Sequence, residues 1–247
     1  MFVEQRFHVI LSELETQRAA SVARLCELTG ASEATIRRDL NILAEQGQLQ
    51  KVHGGAMLSA DKFLGTEPDV STKNQLFQAE KERIAAYAAS LIDGDDVVFL
   101  DAGTTTARML PHLKGCSATF VTNSVDAMQQ LAALGLRSYS LGGLLRPETN
   151  AMVGAMALDA LAQFNFTKAF LGTNGITLRQ GFTTPDREEA AVKRAAAGQA
   201  CRTYILADAS KFQIVTAVSF LKLEQAEILT DRLPDPAFLE HTVVKEV

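Results

Sequence analysis

The sequence predicts an α/β protein in two parts: a small helical unit with a β-wing, then a larger unit built on a mainly parallel sheet. Three observations predict this. Between residues 2 and 43, apolar side chains recur at helical spacing in three successive stretches. A Gly-Gly turn follows them inside "LQKVHGGA". From residue 79, short apolar runs such as "VVFL", "TFVT" and "AFLG" alternate with helical patterns, as parallel βα units do.

The first helix carries Phe7, Ile10, Leu11 and Leu14 on one face. Ser21 is placed to cap a second helix with Val22, Leu25, Cys26 and Leu28 as its stripe, and Gly30 ends it. Ser32 caps a third, with Ile36, Leu40 and Leu43 facing inward and Gly47 at its end. Three helices, a tight turn between the last two and a wing define a winged helix-turn-helix over residues 1–58. Residues 59–78 are polar, contain Gly65 and Pro68, and read as a linker with some helical content. Residues 79–247 form the α/β unit, with strands through "DDVVFLDAG", "ATFVTN", "RSYSLGG", "KAFLGTNG", "RTYILAD" and "AEILTD". Helices fill the intervals, including one starting at "TTARMLPHL" and one over "PDREEAAVKRAAAGQA" with Pro185 in its first turn.

The 247 residues are 47% hydrophobic, enough for buried cores, and carry a net charge of -5. No apolar run reaches the roughly 20 residues that span a bilayer, and the N-terminus lacks the pattern of a secretion signal. Cys26, Cys116 and Cys201 are far apart and odd in number, which fits small core residues in a reducing cytoplasm. Net acidity hides local fields: residues 1–58 hold six Lys/Arg against seven Asp/Glu, with Arg37, Arg38, Lys51 and His53 gathered together.

In a helix-turn-helix the second helix of the motif enters the major groove, its N-terminal residues toward base edges. Thr35 and Arg38 share one face of that helix, and Arg37 is turned roughly 100° away. Arg38 with Thr35 is therefore assigned to base reading and Arg37 to phosphate. Ser32, Asn41, Lys51, His53 and Gly54 complete the expected DNA surface. Alternatively the arginines pair with Glu33, Asn41 or Asp39 on a solvated face, Asp39 restraining one of them.

"FLDAGTTTARML" is a strand entering a glycine turn, and Asp101, Gly103, Thr104, Thr105 and Thr106 suit an anion, although threonine is also an ordinary helix cap. Strands also end at Asn123, Gly142–Gly143, Asn174–Gly175 and Lys211, and ligands of open α/β sheets bind beyond such ends. Arg146 is a further phosphate partner. Thr184 can cap a helix, with Asp186 and Glu189 either meeting sugar hydroxyls or complementing the helix dipole. That inventory fits a phosphorylated polyol. The P-loop and dinucleotide signatures are missing, as are metal-ligand spacing and a nucleophile elbow, so no cofactor or metal is expected.

The segments "RFHVILSEL" and "ASEATIRRDLNILAEQGQLQKVHGGAML" resemble the DNA-binding domain of DeoR-type bacterial repressors. "FLDAGTTT", "VTNS", "LGGLLRP", "FLGTNGI", "TTPDREEAAVKRA" and "ADASKF" follow in that family's order, so the resemblance covers nearly the whole chain. It implies a repressor of a sugar-utilisation operon, acting on double-stranded operator DNA. Its second domain would sense a phosphorylated sugar and be similar in fold to ribose-5-phosphate isomerase. "TTPDREEAA" is most similar to regulators of fructose or tagatose phosphate metabolism. Paired half-sites imply a homo-oligomer, dimer or tetramer. The rival reading is an isomerase-like enzyme fused to a DNA-binding domain, with Asp101, Asp186 or Glu189 as general base.

Overall fold

The computed structural model describes residues 2–17, 19–45, 48–52, 54–58, 62–64 and 70–247. Gly47, His53, Gly65 and Pro68 lie outside the described residues. The chain divides into two compact units, residues 1–62 and 63–247.

The first unit contains α1 (Val3–Gln17), β1 (Ala19–Ser21), α2 (Val22–Thr29), α3 (Glu33–Glu45), β2 (Leu49–Val52) and β3 (Gly55–Leu58). Ile10, Leu14, Leu25, Ile36, Leu40, Leu43 and Leu49 are buried together, the faces that helical spacing assigns inward. The Ser21 hydroxyl accepts the Arg24 N–H and so caps α2. Gly30, at φ 67°, ends α2 in the left-handed conformation, its N–H on the Cys26 carbonyl. β1, missed as a strand in the "TQRAA" break, pairs antiparallel with β3, giving the sheet order β1-β3-β2. A Cβ on Gly55 would lie 2.2 Å from the Ala20 carbonyl oxygen. Gly55→Ala is therefore expected to destabilise this unit by roughly 1–3 kcal/mol, read in a urea melt; an unchanged midpoint would contradict the packing.

After β4 (Lys62–Phe63) come α4 (Val70–Gln75), α5 (Gln78–Ser90), β5 (Val97–Leu100), α6 (Thr104–Ala107), β6 (Thr119–Thr122), α7 (Val125–Ala133) and β7 (Ser138–Ser140). Next are β8 (Leu144–Arg146), β9 (Ala151–Val153), α8 (Ala155–Leu161), β10 (Phe166–Gly172), β11 (Gly175–Thr177), β12 (Gly181–Thr184) and α9 (Arg187–Gly198). The chain closes with β13 (Ala200–Leu206), β14 (Ile214–Val215), β15 (Val218–Leu221), β16 (Glu227–Thr230) and β17 (Val244–Glu246). α4 falls inside the stretch that the sequence reads as a linker.

Seven strands form one parallel sheet in the order β17-β16-β13-β10-β5-β6-β7. Its central strands are buried on both faces, so they read as continuous apolar runs. Within β5, Phe99 packs into one core cluster and Val98 and Leu100 into the other, as the two-residue period of a strand requires. The chain enters the sheet at β5, lays β6 and β7 to one side, then returns to β10 on the other. The β5–β10 boundary is the topological switch point, where the crevice for a ligand opens.

Three expectations are corrected. The "TTARMLPHL" helix stops at Ala107 and resumes as a 3₁₀ turn over Leu110–Leu113, because Pro111 lacks an N–H and crowds the carbonyl four residues back. Pro185 precedes α9 instead of entering it; Asp186 is the cap, accepting the Glu188 and Glu189 N–H groups at 2.9 Å each. Cys201 is exposed, while Cys26 and Cys116 are half-buried, and all three are free. The antiparallel pieces β8–β9 and β11-β12-β15 escaped the sequence reading, being three- or four-residue strands without alternation.

Candidate functional site

The outer face of α3 meets the wing of the first unit. Ser32 Oγ accepts the Thr35 N–H at 3.3 Å and lies 2.9 Å from the Thr35 hydroxyl. Arg37 pairs with Glu33 one turn back, Nη2 to Oε1 2.6 Å, both side chains well exposed. Such exposed pairs are weak, about 0.3–0.5 kcal/mol, and open readily for a phosphate. Arg38 is exposed and forms no ion pair among the described residues. Lys51 Nζ donates to Asn41 Oδ1 at 2.5 Å, tying β2 to α3. Gly54, at φ 81°, occupies the turn, and its carbonyl accepts the Val22 N–H. Asp39 restrains neither arginine. It is buried and held bidentate by Arg6 of α1, at 2.7 and 3.2 Å. Helix phase explains this, since Asp39 sits next to Leu40 on the inward side of α3.

In the second unit a cleft of about 500 Å³ opens beyond the carboxyl ends of β5 and β10. Asp101 and Gly172, from the two sides of the switch point, meet there: the Gly172 N–H donates to Asp101 Oδ2 at 2.9 Å. Seven expected residues line the cleft: Asp101, Gly103, Thr104, Thr105, Asn174, Glu189 and Lys211.

Eight do not, for identifiable reasons. The buried Thr106 hydroxyl donates to the Asp101 carbonyl at 2.7 Å, and Asn123 Oδ1 accepts the Ala102 N–H at 3.0 Å; both brace the loop from behind. Gly142 and Gly143 follow the edge strand β7, and a Cβ on Gly143 would lie 2.6 Å from the Val153 carbonyl oxygen, so that glycine serves packing. Gly175 likewise admits the Ile214 carbonyl. Thr184 caps no helix; its hydroxyl donates to Asn174 Oδ1 at 3.0 Å. Arg146 is taken up by Asp186, Glu189 and Glu148. Burial would raise the Asp186 carboxyl, but the Glu189 N–H, Arg146 and the Glu188 N–H outweigh it and hold it below its usual range. Asp186 is thus a helix cap in an ion pair.

The cleft also gathers residues that the sequence reading missed: Lys73 and Asn74 of α4, Lys81 of α5, Arg108, Ser124, Asp126 and Lys193. Lys81 is 2% exposed and donates to the Lys73 carbonyl at 2.5 Å. Burial pushes its ammonium down from the ordinary lysine range; Asp208 opposes, and Lys211 and Arg108 add to the fall. Lys73 falls to about 8, chiefly by burial, with Glu189 opposing and Lys211, Lys193 and Lys81 reinforcing. Arg108 donates to the Asn74 carbonyl at 3.2 Å and faces Glu82 at 3.5 Å. One signal was available. Lys193 follows Glu189 by four residues on α9, so both share its inward face. No cluster of His, Cys, Asp and Glu among the described residues could hold a metal ion, and no described helix is long and apolar enough to cross a membrane.

A winged helix-turn-helix joined to an α/β unit with a cationic cleft at its switch point defines a ligand-responsive DNA-binding regulator. Residues 6–62 match the DeoR-like helix-turn-helix domain and residues 77–232 the DeoR C terminal sensor domain, so the chain belongs to the DeoR family of transcriptional regulators. It is 40% identical to an uncharacterized HTH-type transcriptional regulator named FruR of Bacillus subtilis, over 100% of this chain and 99% of that one. It is 35% identical to the lactose phosphotransferase system repressor of Staphylococcus epidermidis, over 84% and 83% respectively. The fold is loosely similar to ribose 5-phosphate isomerase A of Methanocaldococcus jannaschii, with a TM-score of 0.42, 15% identity and coverage of 55% and 54%. The chain is a transcriptional regulator, not an enzyme.

Proposed function

We propose that this regulator represses a sugar-utilisation operon and that a phosphorylated sugar in the cleft changes its grip on operator DNA. The observation that carries this is the crowding of Lys73, Lys81 and Lys211 beside Arg108 at one cleft. Like charges held together in a partly dry site raise one another's free energy, and a phosphate dianion relieves all of them at once. Thr104, Thr105, Ser124, Asn174, Asp126 and Glu189 offer the hydroxyl, amide and carboxylate partners that a polyol needs. Fructose or tagatose phosphate is the favoured occupant, supported by the resemblance of the "TTPDREEAA" segment to regulators of fructose or tagatose phosphate metabolism. On the DNA side, Ser32, Thr35, Arg37, Arg38, Asn41, Lys51, His53 and Gly54 form the contact surface. The protein works in the cytoplasm, where its operator is, as a homo-oligomer reading paired half-sites. The test is operator binding by fluorescence anisotropy with and without the phosphates. A 5- to 150-fold change corresponds to a coupling of about 1–3 kcal/mol.

A pH dependence follows. With no ligand, Lys73 loses its proton near 8. A bound dianion favours the ammonium, so binding above that pH takes up a proton. Affinity for a sugar phosphate is expected to fall about tenfold between pH 7 and pH 9, measured by calorimetry. A flat profile would separate Lys73 from the phosphate.

A further inference from the structure

The floor of the cleft holds an ion pair that the phosphate does not need. Asp101, at the end of β5, and Lys193, on α9, are each 4% exposed, and both line the cleft. Their charged groups are in direct contact. Asp101 Oδ2 accepts both from Lys193 and from the Gly172 N–H, while Oδ1 accepts no hydrogen bond among the described residues. Lys193 spends one of its three N–H donors on Asp101, and its ammonium lies 5.7 Å from the centre of the Phe220 ring.

Buried ion pairs rarely repay their desolvation, and apolar residues of similar size usually serve stability as well or better. A pair at the base of a ligand cleft, with one acceptor and two donors uncommitted, is matched instead to an occupant. The pattern suits adjacent oxygens of which one donates and one accepts: a hydroxyl toward Asp101 Oδ1 and a neighbouring hydroxyl or carbonyl oxygen toward Lys193.

We propose that the Asp101–Lys193 pair reads the oxygen pattern on the sugar end of the effector and so determines which sugar phosphate the regulator answers. This rests on the effector reading above. The lysines Lys73, Lys81 and Lys211 secure the phosphate common to all candidates, and the pair discriminates among what is attached to it. A site built to hydrogen-bond a hydroxyl penalises an analogue that lacks it, because buried polar groups are then left unpaired.

The test is calorimetry of the full-length protein with fructose 1-phosphate, tagatose 6-phosphate, glycerol 3-phosphate and inorganic phosphate. The native protein is expected to bind a ketohexose phosphate more than about tenfold tighter than inorganic phosphate, and D101N/K193Q to reduce that ratio to below about threefold. Removing both charges together leaves neither buried alone, and operator binding without ligand reports that the variant folds. Should the double variant not fold, Lys193→Arg keeps the pair but re-aims its donors, and is expected to reorder the four affinities. A native ratio near one, a ratio unchanged in the double variant, or an unchanged order in Lys193→Arg overturns the inference while leaving the effector reading intact. Failure of the native protein to bind any of the four compounds overturns both.

Discussion

Arg38→Ala is expected to cost the protein its choice of DNA. Arg38 lies on the exposed face of α3 with no ion-pair partner among the described residues, one turn from Thr35. A guanidinium forking onto guanine O6 and N7 carries about 1–3 kcal/mol of discrimination at one base pair, roughly 5- to 150-fold per half-site. The variant should lose that factor on selected operator DNA and far less on scrambled DNA. Arg37→Ala, which gives up only the exposed pair with Glu33, should weaken both DNAs alike and lower the salt slope by about one. Anisotropy titrations at two salt concentrations distinguish these outcomes. Equal losses on operator and scrambled DNA for Arg38→Ala would make Arg38 a phosphate contact and leave base reading to other residues.

Lys81→Met is expected to uncouple DNA binding from the effector. Lys81 is almost completely buried at the cleft and its ammonium is disfavoured there by burial. Methionine keeps the volume and removes a charge that the unliganded cleft accommodates badly, which offsets the lost hydrogen bond to the Lys73 carbonyl, so the melting temperature should change little. A charge-assisted hydrogen bond to phosphate is worth about 1.5–3 kcal/mol, so affinity for a sugar phosphate should drop by roughly 10- to 100-fold. The expected phenotype is a repressor whose operator affinity stays fixed at effector concentrations that change that of the native protein. A native response from Lys81→Met would remove the lysine cluster from the phosphate site.

The first unit was legible in the sequence because local rules decide it. Ser21 and Gly30 act within a turn of where they sit, and helical spacing alone puts Ile36 and Leu40 on the face that packs against α1 and α2. The core of the parallel sheet was legible for a similar reason: strands buried on both faces must be apolar throughout, and β5, β6 and β10 are. The cleft was legible only where a strand runs directly into its loop, as at Asp101, Gly103, Thr104 and Thr105.

The other half of the cleft depends on tertiary placement. Lys73 comes from a stretch that reads as linker, and Lys81 from a helix with no unusual pattern; only the docking of α4 and α5 brings them beside Lys211. Arg146 looked available because two of its three acidic partners, Asp186 and Glu189, lie about forty residues along the chain, at the start of α9. Gly142 and Gly143 looked like a ligand loop because glycines after a strand often are one, yet their strand is at the sheet edge, away from the switch point. Position in the sheet decides which strand ends meet a ligand, and strand order is the feature that local sequence patterns encode least.

Occupancy of the cationic cleft is expected to control operator affinity. The most direct measurement is operator binding by the full-length protein across a panel of fructose and tagatose phosphates, with the unphosphorylated sugars alongside. At least one sugar phosphate should change operator affinity by about 5- to 150-fold, with the parent sugar inactive at the same concentration. An unphosphorylated sugar acting as strongly as its phosphate, or operator affinity unmoved by every phosphate in the panel, would contradict it.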